Sequence, residues 1–228
     1  MKRLTLFDLD NTLLTGDSDY EWGQFMCDQG VVDRAAYEAQ NRVYYEQYVD
    51  GSLDIHEYLG FALRPLASHS PEDLARWHAE FMRTRIVPMI LPAARALVRR
   101  HLEGGELCAI ITATNSFVTA PIAREFGIQH LIATEPELKN GRYTGRVAGT
   151  PSFRTGKLVR LDEWLAGLGR RLGDFEASTC YSDSHNDLPL LERVSRPVAV
   201  DADETLAREA ARRGWGRISL RGTAPRSP

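Results

Sequence analysis

Asp8 and Asp10 stand two residues apart in the run Phe7-Asp8-Leu9-Asp10-Asn11-Thr12-Leu13, at the end of the apolar stretch 4–9. Thr112 and Ala113 close a second apolar stretch, 107–112 and the residue after it. Lys157 follows Gly156 at the start of a helix-forming segment, and Asp183-Ser184-His185-Asn186-Asp187 follows the apolar stretch 177–182. Gathered at one place, these residues supply four carboxylates, a hydroxyl and an ammonium group. Carboxylates packed so closely repel one another unless a cation sits among them. Hard oxygen donors with open positions suit Mg²⁺, which takes one or two carboxylates and keeps waters and phosphate oxygens. A lysine and a hydroxyl beside such a metal make a phosphate site, the lysine offsetting charge and the hydroxyl donating to one oxygen. One carboxylate can then act as nucleophile, splitting ester hydrolysis into two easier steps through an aspartyl-phosphate. Its neighbour can protonate the leaving alkoxide and later activate water.

What must position these groups is a set of strand ends. Residues 4–9, 107–112, 130–133, 177–182 and 197–200 read as strands; 93–102, 115–126, 155–168, 187–194 and 204–213 read as helices between them. Strands alternating with helices imply an α/β fold with a Rossmann-like parallel sheet, helices on both faces and ligands beyond the carboxyl ends of the strands. Asn140-Gly141 between two short extended runs is a two-residue hairpin signal. From residue 17 to about 88 the pattern changes to helix formers and aromatics, punctuated by Gly30, Gly51 and Pro65, with Ser70-Pro71-Glu72-Asp73 as a strong helix start. About four helices are expected there. A simple crossover needs far fewer residues, so 15–90 is expected to be an inserted α-helical cap on a core made of 1–14 and 91–228.

Composition limits the alternatives. The 228 residues carry a formal net charge of −3, which argues against a general nucleic-acid binder. Six arginines and one glutamate in 205–228 are read as a solvated helix face and tail. Cys27, Cys108 and Cys180 are scattered, as reduced thiols would be. Asp8 and Asp10 interrupt the N-terminal apolar stretch, and no run approaches the roughly 20 apolar residues of a membrane span. A soluble cytoplasmic protein is expected, with a small-molecule phosphate ester as partner, no nucleic acid, no membrane and no obligate protein partner.

The run Phe7–Leu13, the segment Ile110-Ile111-Thr112, Lys157, and the run from Tyr181 to Leu191 resemble, in order and spacing, the four motifs of haloacid-dehalogenase-superfamily phosphatases. The resemblance covers all but the last few residues, and the position of the helical insert resembles the phosphoserine-phosphatase-like branch. It implies Asp8 as nucleophile and Asp10 as general acid and base. Thr112, Ala113 and Lys157 would hold the phosphoryl group. Asp8, the backbone carbonyl of Asp10 and Asp183 would bind Mg²⁺. Asp187 would orient a metal-bound water or the lysine, and Asn186 would be a further substrate contact.

Each feature has a plainer reading when taken singly. Asp-x-Asp is common in turns, and a lone threonine or lysine is usually just a loop or surface residue. His185 is expected to be a non-catalytic loop residue. Six of the eight tyrosines lie between Tyr20 and Tyr58, either as the core of a helical bundle or as a lining for the leaving group. A dehalogenase would not need Asp10. A phosphomutase would differ in keeping the phosphoryl group from water. An inactive phosphate-binding module would be expected to have lost a catalytic aspartate. For the substrate, the resemblance implies an acidic residue after the first motif for an amine, met by Asp17, and a cap arginine for a carboxylate. Gly60 stands where that arginine is expected, with Arg64 one helical turn further on. Histidinol phosphate, which has an amine and a heterocycle but no carboxylate, therefore ranks ahead of phosphoserine.

Overall fold

Side chains alternate along the first strand, β1 (Arg3–Phe7), so Leu4 and Leu6 face one side of the sheet and Phe7 the other; all three are fully buried. Each such side chain contributes about 1.5–3 kcal/mol by leaving water, and burial on both faces is what a central parallel strand requires. The computed structural model describes residues 3–222.

After β1 the chain enters a helical excursion made of α1 (Ser18–Asp28), α2 (Arg34–Asp50), α3 (Ile55–Ala62), α4 (Arg64–Ser68), α5 (Pro71–Phe81), a π-helical turn (Met82–Ile86) and α6 (Val87–Met89). Six helices replace the four expected, for local reasons. Pro65 opens a separate short α4. Pro88, which has no N–H to donate, follows the π-helical turn and sits in the one-turn α6. Asp17, Asp33, Asp54 and Ser70 cap α1, α2, α3 and α5 by accepting from first-turn N–H groups, each cap being worth about 1 kcal/mol. The excursion leaves and returns at one place: Leu14 bridges Ile90, and the Thr15 N–H donates to the Met89 carbonyl at 3.0 Å.

The chain then alternates through α7 (Pro92–Glu103), β2 (Leu107–Asn115), α8 (Ser116–Glu125), β3 (His130–Lys139), β4 (Arg142–Ala148), α9 (Thr155–Gly167), β5 (Ala177–Ser182), α10 (Leu188–Leu191), β6 (Arg196–Val200), α11 (Glu204–Arg213) and β7 (Gly216–Ile218). The sheet order is β4-β3-β2-β1-β5-β6-β7, parallel except for the β3–β4 edge pair. Buried residues of α7 and α8 pack with Phe7 and the helical excursion on one face; those of α9, α10 and α11 pack with Leu4 and Leu6 on the other.

The Asn140-Gly141 turn forms, with φ of 52° and 75° at its two residues. The strand before it does not stop at 133 as expected but runs to Lys139, because its second half leaves the parallel sheet to pair with β4. The strand β7 was not expected: its three residues, Gly-Arg-Ile, are exposed and carry no apolar pattern. The helix expected over 187–194 is a 3₁₀ turn (His185–Asp187) followed by the single turn of α10. The three cysteines are free and buried. Near the C-terminus, Arg208, Arg212 and Arg213 pair with Glu204 and Glu209 on exposed helix surface, while Arg226 lies outside the described residues. Among the described residues no helix is long and apolar enough to cross a membrane.

Candidate active site

The carboxyl ends of β1, β2 and β5 meet the helical excursion around a cavity of about 800 Å³. Asp8 is the first residue beyond β1, with its N–H held by the Tyr181 carbonyl of β5 at 2.9 Å. Asp10 lies beyond the strand, which ends at Phe7. Residues 9–14 form a tight turn in which the N–H groups of Leu13 and Leu14 converge on the Leu9 carbonyl, and Asn11 takes a positive φ of 57°. That turn directs both aspartates into the cavity. Opposite them, β2 shifts register between Ile111 and Asn115, the kind of irregularity that re-aims side chains beside active sites. It turns Thr112 and Thr114 towards Asp10, whose Oδ2 lies 3.4 Å and 2.8 Å from their hydroxyls; Asp10 Oδ1 accepts from the Ser18 N–H at 2.6 Å. Ala113 lines the cavity, and its carbonyl accepts from Thr134.

Lys157 rises from the first turn of α9. The neighbouring residue must be glycine, since a Cβ at Gly156 would lie 2.1 Å from the Pro151 carbonyl oxygen. Lys157 is 3 % exposed, and its ammonium bridges Asp8 Oδ1 and Asp187 Oδ2, each at 2.8 Å. Ser182 donates to the same Asp187 oxygen at 2.8 Å. Burial works against the charged lysine, but Asp187 and Asp8 outweigh it and push its pKa up.

Among the described residues no basic side chain pairs with Asp183; its side chain accepts from the Thr12 hydroxyl, which lies 2.8 Å from Asp183 Oδ1 and 3.2 Å from Asp8 Oδ2. One hydroxyl proton serves both, and Asp8 has Lys157 besides, so Asp183 is the carboxylate left without a donor when Thr12 turns to Asp8. Burial, then the Asp8 charge, raises the Asp183 pKa well above the usual carboxylate range. Burial also lifts Asp8, Asp10, Asp17 and Asp19 to about 6 each, against Lys157 for Asp8 and with help from Asp17 for Asp10 and from Asp19 for Asp17. Asp17 is exposed on the cavity, where solvent screens its carboxylate. Asp8 and Asp183 are the carboxylates that could hold a hard divalent cation, which would offset this excess of negative charge. No group of three or more His, Cys, Asp or Glu side chains gathers as a metal cluster among the described residues. A two-carboxylate site completed by the Asp10 carbonyl, water and substrate needs none.

The far end of the cavity belongs to the helical excursion. Five of the six clustered tyrosines line it, namely Tyr20, Tyr44, Tyr45, Tyr48 and Tyr58; the lining reading holds for them, and Tyr37 alone packs elsewhere, against Phe61. Asp17 caps α1 and lines the cavity beside Asp19, which accepts from the Tyr58 hydroxyl and from Asn115. Gly60 and Arg64, weighed above as the place of a carboxylate-binding arginine, are both exposed and line no part of the cavity. Helix α3 turns Ile55 and Tyr58 inward instead. The arginine that does line the cavity is Arg42 on α2, exposed at its mouth and making no hydrogen bond or ion pair among the described residues. His185 touches the cavity but spends its Nδ1 and N–H on Asp203, in keeping with a loop role. Asn186 is buried within the wall. Sequence reading gave no role to Thr12, Thr114 and Ser182, and placed Asp19 only as an acid close to Asp17. Thr12 and Ser182 lay inside the quoted motifs, where their hydroxyls were a readable signal; Thr114 needed the register shift and Asp19 needed the contact with Tyr58. A second, open depression of about 540 Å³ lined by α10, β6 and the end of α11 holds none of these residues.

The haloacid dehalogenase-like hydrolase family model matches residues 5–192. The chain is similar to a protein named histidinol-phosphatase from Neisseria meningitidis serogroup C, 48 % identical over 94 % of this chain and 97 % of that one. It is 30 % identical to phosphoserine phosphatase SerB1 of Mycobacterium tuberculosis, over 92 % of this chain and 68 % of the relative. A crystal structure of a protein of unknown function from Bordetella pertussis Tohama I is 54 % identical and superposes with a TM-score of 0.92, covering 96 % and 99 % of the two chains. A substrate-bound phosphoserine phosphatase shares the fold at a TM-score of 0.68 and 19 % identity, over 97 % and 96 % of the chains. The chain belongs to the haloacid dehalogenase-like hydrolases, as a phosphatase with the phosphoserine-phosphatase-like fold.

Proposed function

We propose that the chain is a Mg²⁺-dependent phosphomonoesterase that hydrolyses histidinol phosphate through an aspartyl-phosphate on Asp8, with the segment 15–90 acting as its cap. The observation that carries the substrate reading is the lining of the cavity's far end: tyrosines, the adjacent acids Asp17 and Asp19, and no buried guanidinium. An ammonium and an imidazole ring suit such a lining. An α-carboxylate does not, because burying it unpaired is costly. The name of the Neisseria relative agrees.

Mg²⁺ held by Asp8, Asp183 and the Asp10 carbonyl would neutralise charge on the phosphoryl oxygens. The remaining steps belong to the chain. Lys157, pinned between Asp8 and Asp187, holds the approaching phosphoryl group and keeps the Asp8 carboxylate aimed. An Asp8 oxygen attacks phosphorus, the ester P–O bond breaks, and the leaving alkoxide takes a proton from Asp10. A carboxyl lifted to about 6 keeps a proton available near neutrality. Asp10 then accepts a proton from water as that water attacks phosphorus. The bond from phosphorus to Asp8 breaks, and inorganic phosphate leaves.

Comparing kcat/KM for histidinol phosphate and phosphoserine with Mg²⁺ tests the reading. The expected preference for histidinol phosphate is about 10²-fold or more, since an unpaired charge is rejected more strongly than a missing methylene. A second reading, phosphoserine hydrolysis, is favoured by Arg42, the unpaired guanidinium at the mouth. A preference for phosphoserine that Arg42→Ala abolishes would establish it instead.

A further inference from the structure

Arg154, the residue before α9, has φ 50° and ψ −120°, a conformation that costs any residue with a Cβ. Its guanidinium shows what the strain holds in place. Nε donates to Asn186 Oδ1 at 2.9 Å, Nη2 donates to the Gly51 carbonyl at 3.1 Å, and the plane lies 4.9 Å over the Phe153 ring. Asn186 is 6 % exposed and lines the cavity. Arginine can only donate, so the amide oxygen must face Arg154 and the amide nitrogen must face away. That Nδ2 is buried and has no partner at hydrogen-bond distance among the described residues, with the Tyr48 hydroxyl facing the amide from α2. A buried donor without a well-placed partner is costly, and an acceptor entering the cavity would satisfy it.

Gly51 closes the C-terminus of α2 and begins the connection to α3. A Cβ there would come within 3.3 Å of Arg154 Nη2. Nearby, the Tyr48 hydroxyl meets Ser184 Oγ at 3.2 Å, and its ring packs on Phe153. The guanidinium thus spans two regions: the loop after β5 that carries Asn186, and the end of α2.

We infer that Arg154 is a positioning residue. It fixes the Asn186 amide with its N–H groups towards the substrate's phosphoryl or leaving-group oxygens, and does so fully only while the Gly51 loop is seated over the site. This rests on reading the cavity as the phosphatase site.

The test uses p-nitrophenyl phosphate with Mg²⁺, so that its outcome does not depend on the natural substrate. Arg154→Gly removes the guanidinium but accepts a positive φ freely. It should lower kcat/KM by about 10–100-fold, the usual effect of losing an orienting partner, while the Tm stays level or rises by a few degrees. The Arg154→Gly/Asn186→Ala double variant should be no worse than Asn186→Ala alone, because both remove one unit. Amide hydrogen exchange in residues 48–53 should quicken in Arg154→Gly. Full activity in Arg154→Gly, losses that multiply in the double variant, or a fall in Tm that tracks the fall in activity each overturn the inference; unchanged exchange overturns its coupling to the Gly51 loop. An active Asp8→Asn variant would instead overturn the site itself.

Discussion

The two ends of the cavity are built by opposite means. At the phosphoryl end, Asp8, Lys157, Asp183 and Asp187 hang from the ends of β1 and β5 and the start of α9, in a frame whose strands are buried on both faces. Lys157, Asp187 and Asp8 are nearly inaccessible and bonded to one another. At the other end stands α2, which has no buried residue along its whole length and leaves Tyr45 65 % and Val49 58 % exposed at the cavity. Chemistry common to any phosphate ester sits where side chains cannot move. On the proposed reading, recognition of the leaving group would fall to a helix without buried residues, the kind of element that opens at low energetic cost.

The largest test of that contrast is at the rigid end. Asp8→Asn should lower kcat/KM by about 10³-fold or more on every ester, because an amide is a poor nucleophile and a poor metal ligand; retention of a few per cent of activity would break the assignment. Lys157→Met should destabilise the fold by about 3–5 kcal/mol in urea unfolding, since it leaves Asp8 and Asp187 buried without their cation. Arg42→Ala, on the exposed helix, should change stability by less than about 0.5 kcal/mol. Similar losses at the two positions would erase the distinction.

Asp10 sits between the ends. Asp10→Asn should cost alkyl phosphates about 10²-fold more than p-nitrophenyl phosphate, whose leaving group needs no proton; equal losses would remove Asp10 as the acid. Asp17→Asn should act at the leaving-group end alone, raising KM for histidinol phosphate about tenfold and leaving p-nitrophenyl phosphate unchanged. Asparagine caps a helix as well as aspartate does, so a general loss of activity would speak against an amine contact.

The smallest effect is one of pH. Asp19, 9 % exposed, is lifted from 3.8 to about 6 by burial. In the ligand-free protein its contribution to stability is therefore complete below pH 4 and is lost as pH rises through 6. The Tm of the metal-free, ligand-free protein should fall between pH 4.5 and 7.5, and Asp19→Asn should flatten the fall. A Tm that rises over this range would show that this acid is not desolvated.

Much of this was legible in the order of residues. Strand ends announce themselves by an apolar run breaking into Asp, Thr or Ser, which is why Asp8, Thr112 and Asp183 could be placed at one sheet edge before any coordinates. The position and length of the insert followed from the strands on either side of it. Its internal division did not, because helices packed only on one side follow local breaks such as Pro65 and Pro88 more than any apolar period.

Other features existed only once the chain had folded. The tyrosines of 20–58 carry the same periodicity whether they fill a bundle or line a cavity, and only packing against the core end of the sheet made five of them a lining. Gly60 matched a family position by spacing, yet the face of α3 turned inward is that of Ile55 and Tyr58. Arg154 carries no sequence signal at all: it draws its meaning from Asn186, 32 residues away, and Gly51, 103 residues away. Sequence by itself determined which groups could do chemistry, because residue type and the ends of apolar runs are local properties. The tertiary structure decided which of them meet, because contact across a sheet edge depends on register, helix facing and the return path of the chain, none of which is local.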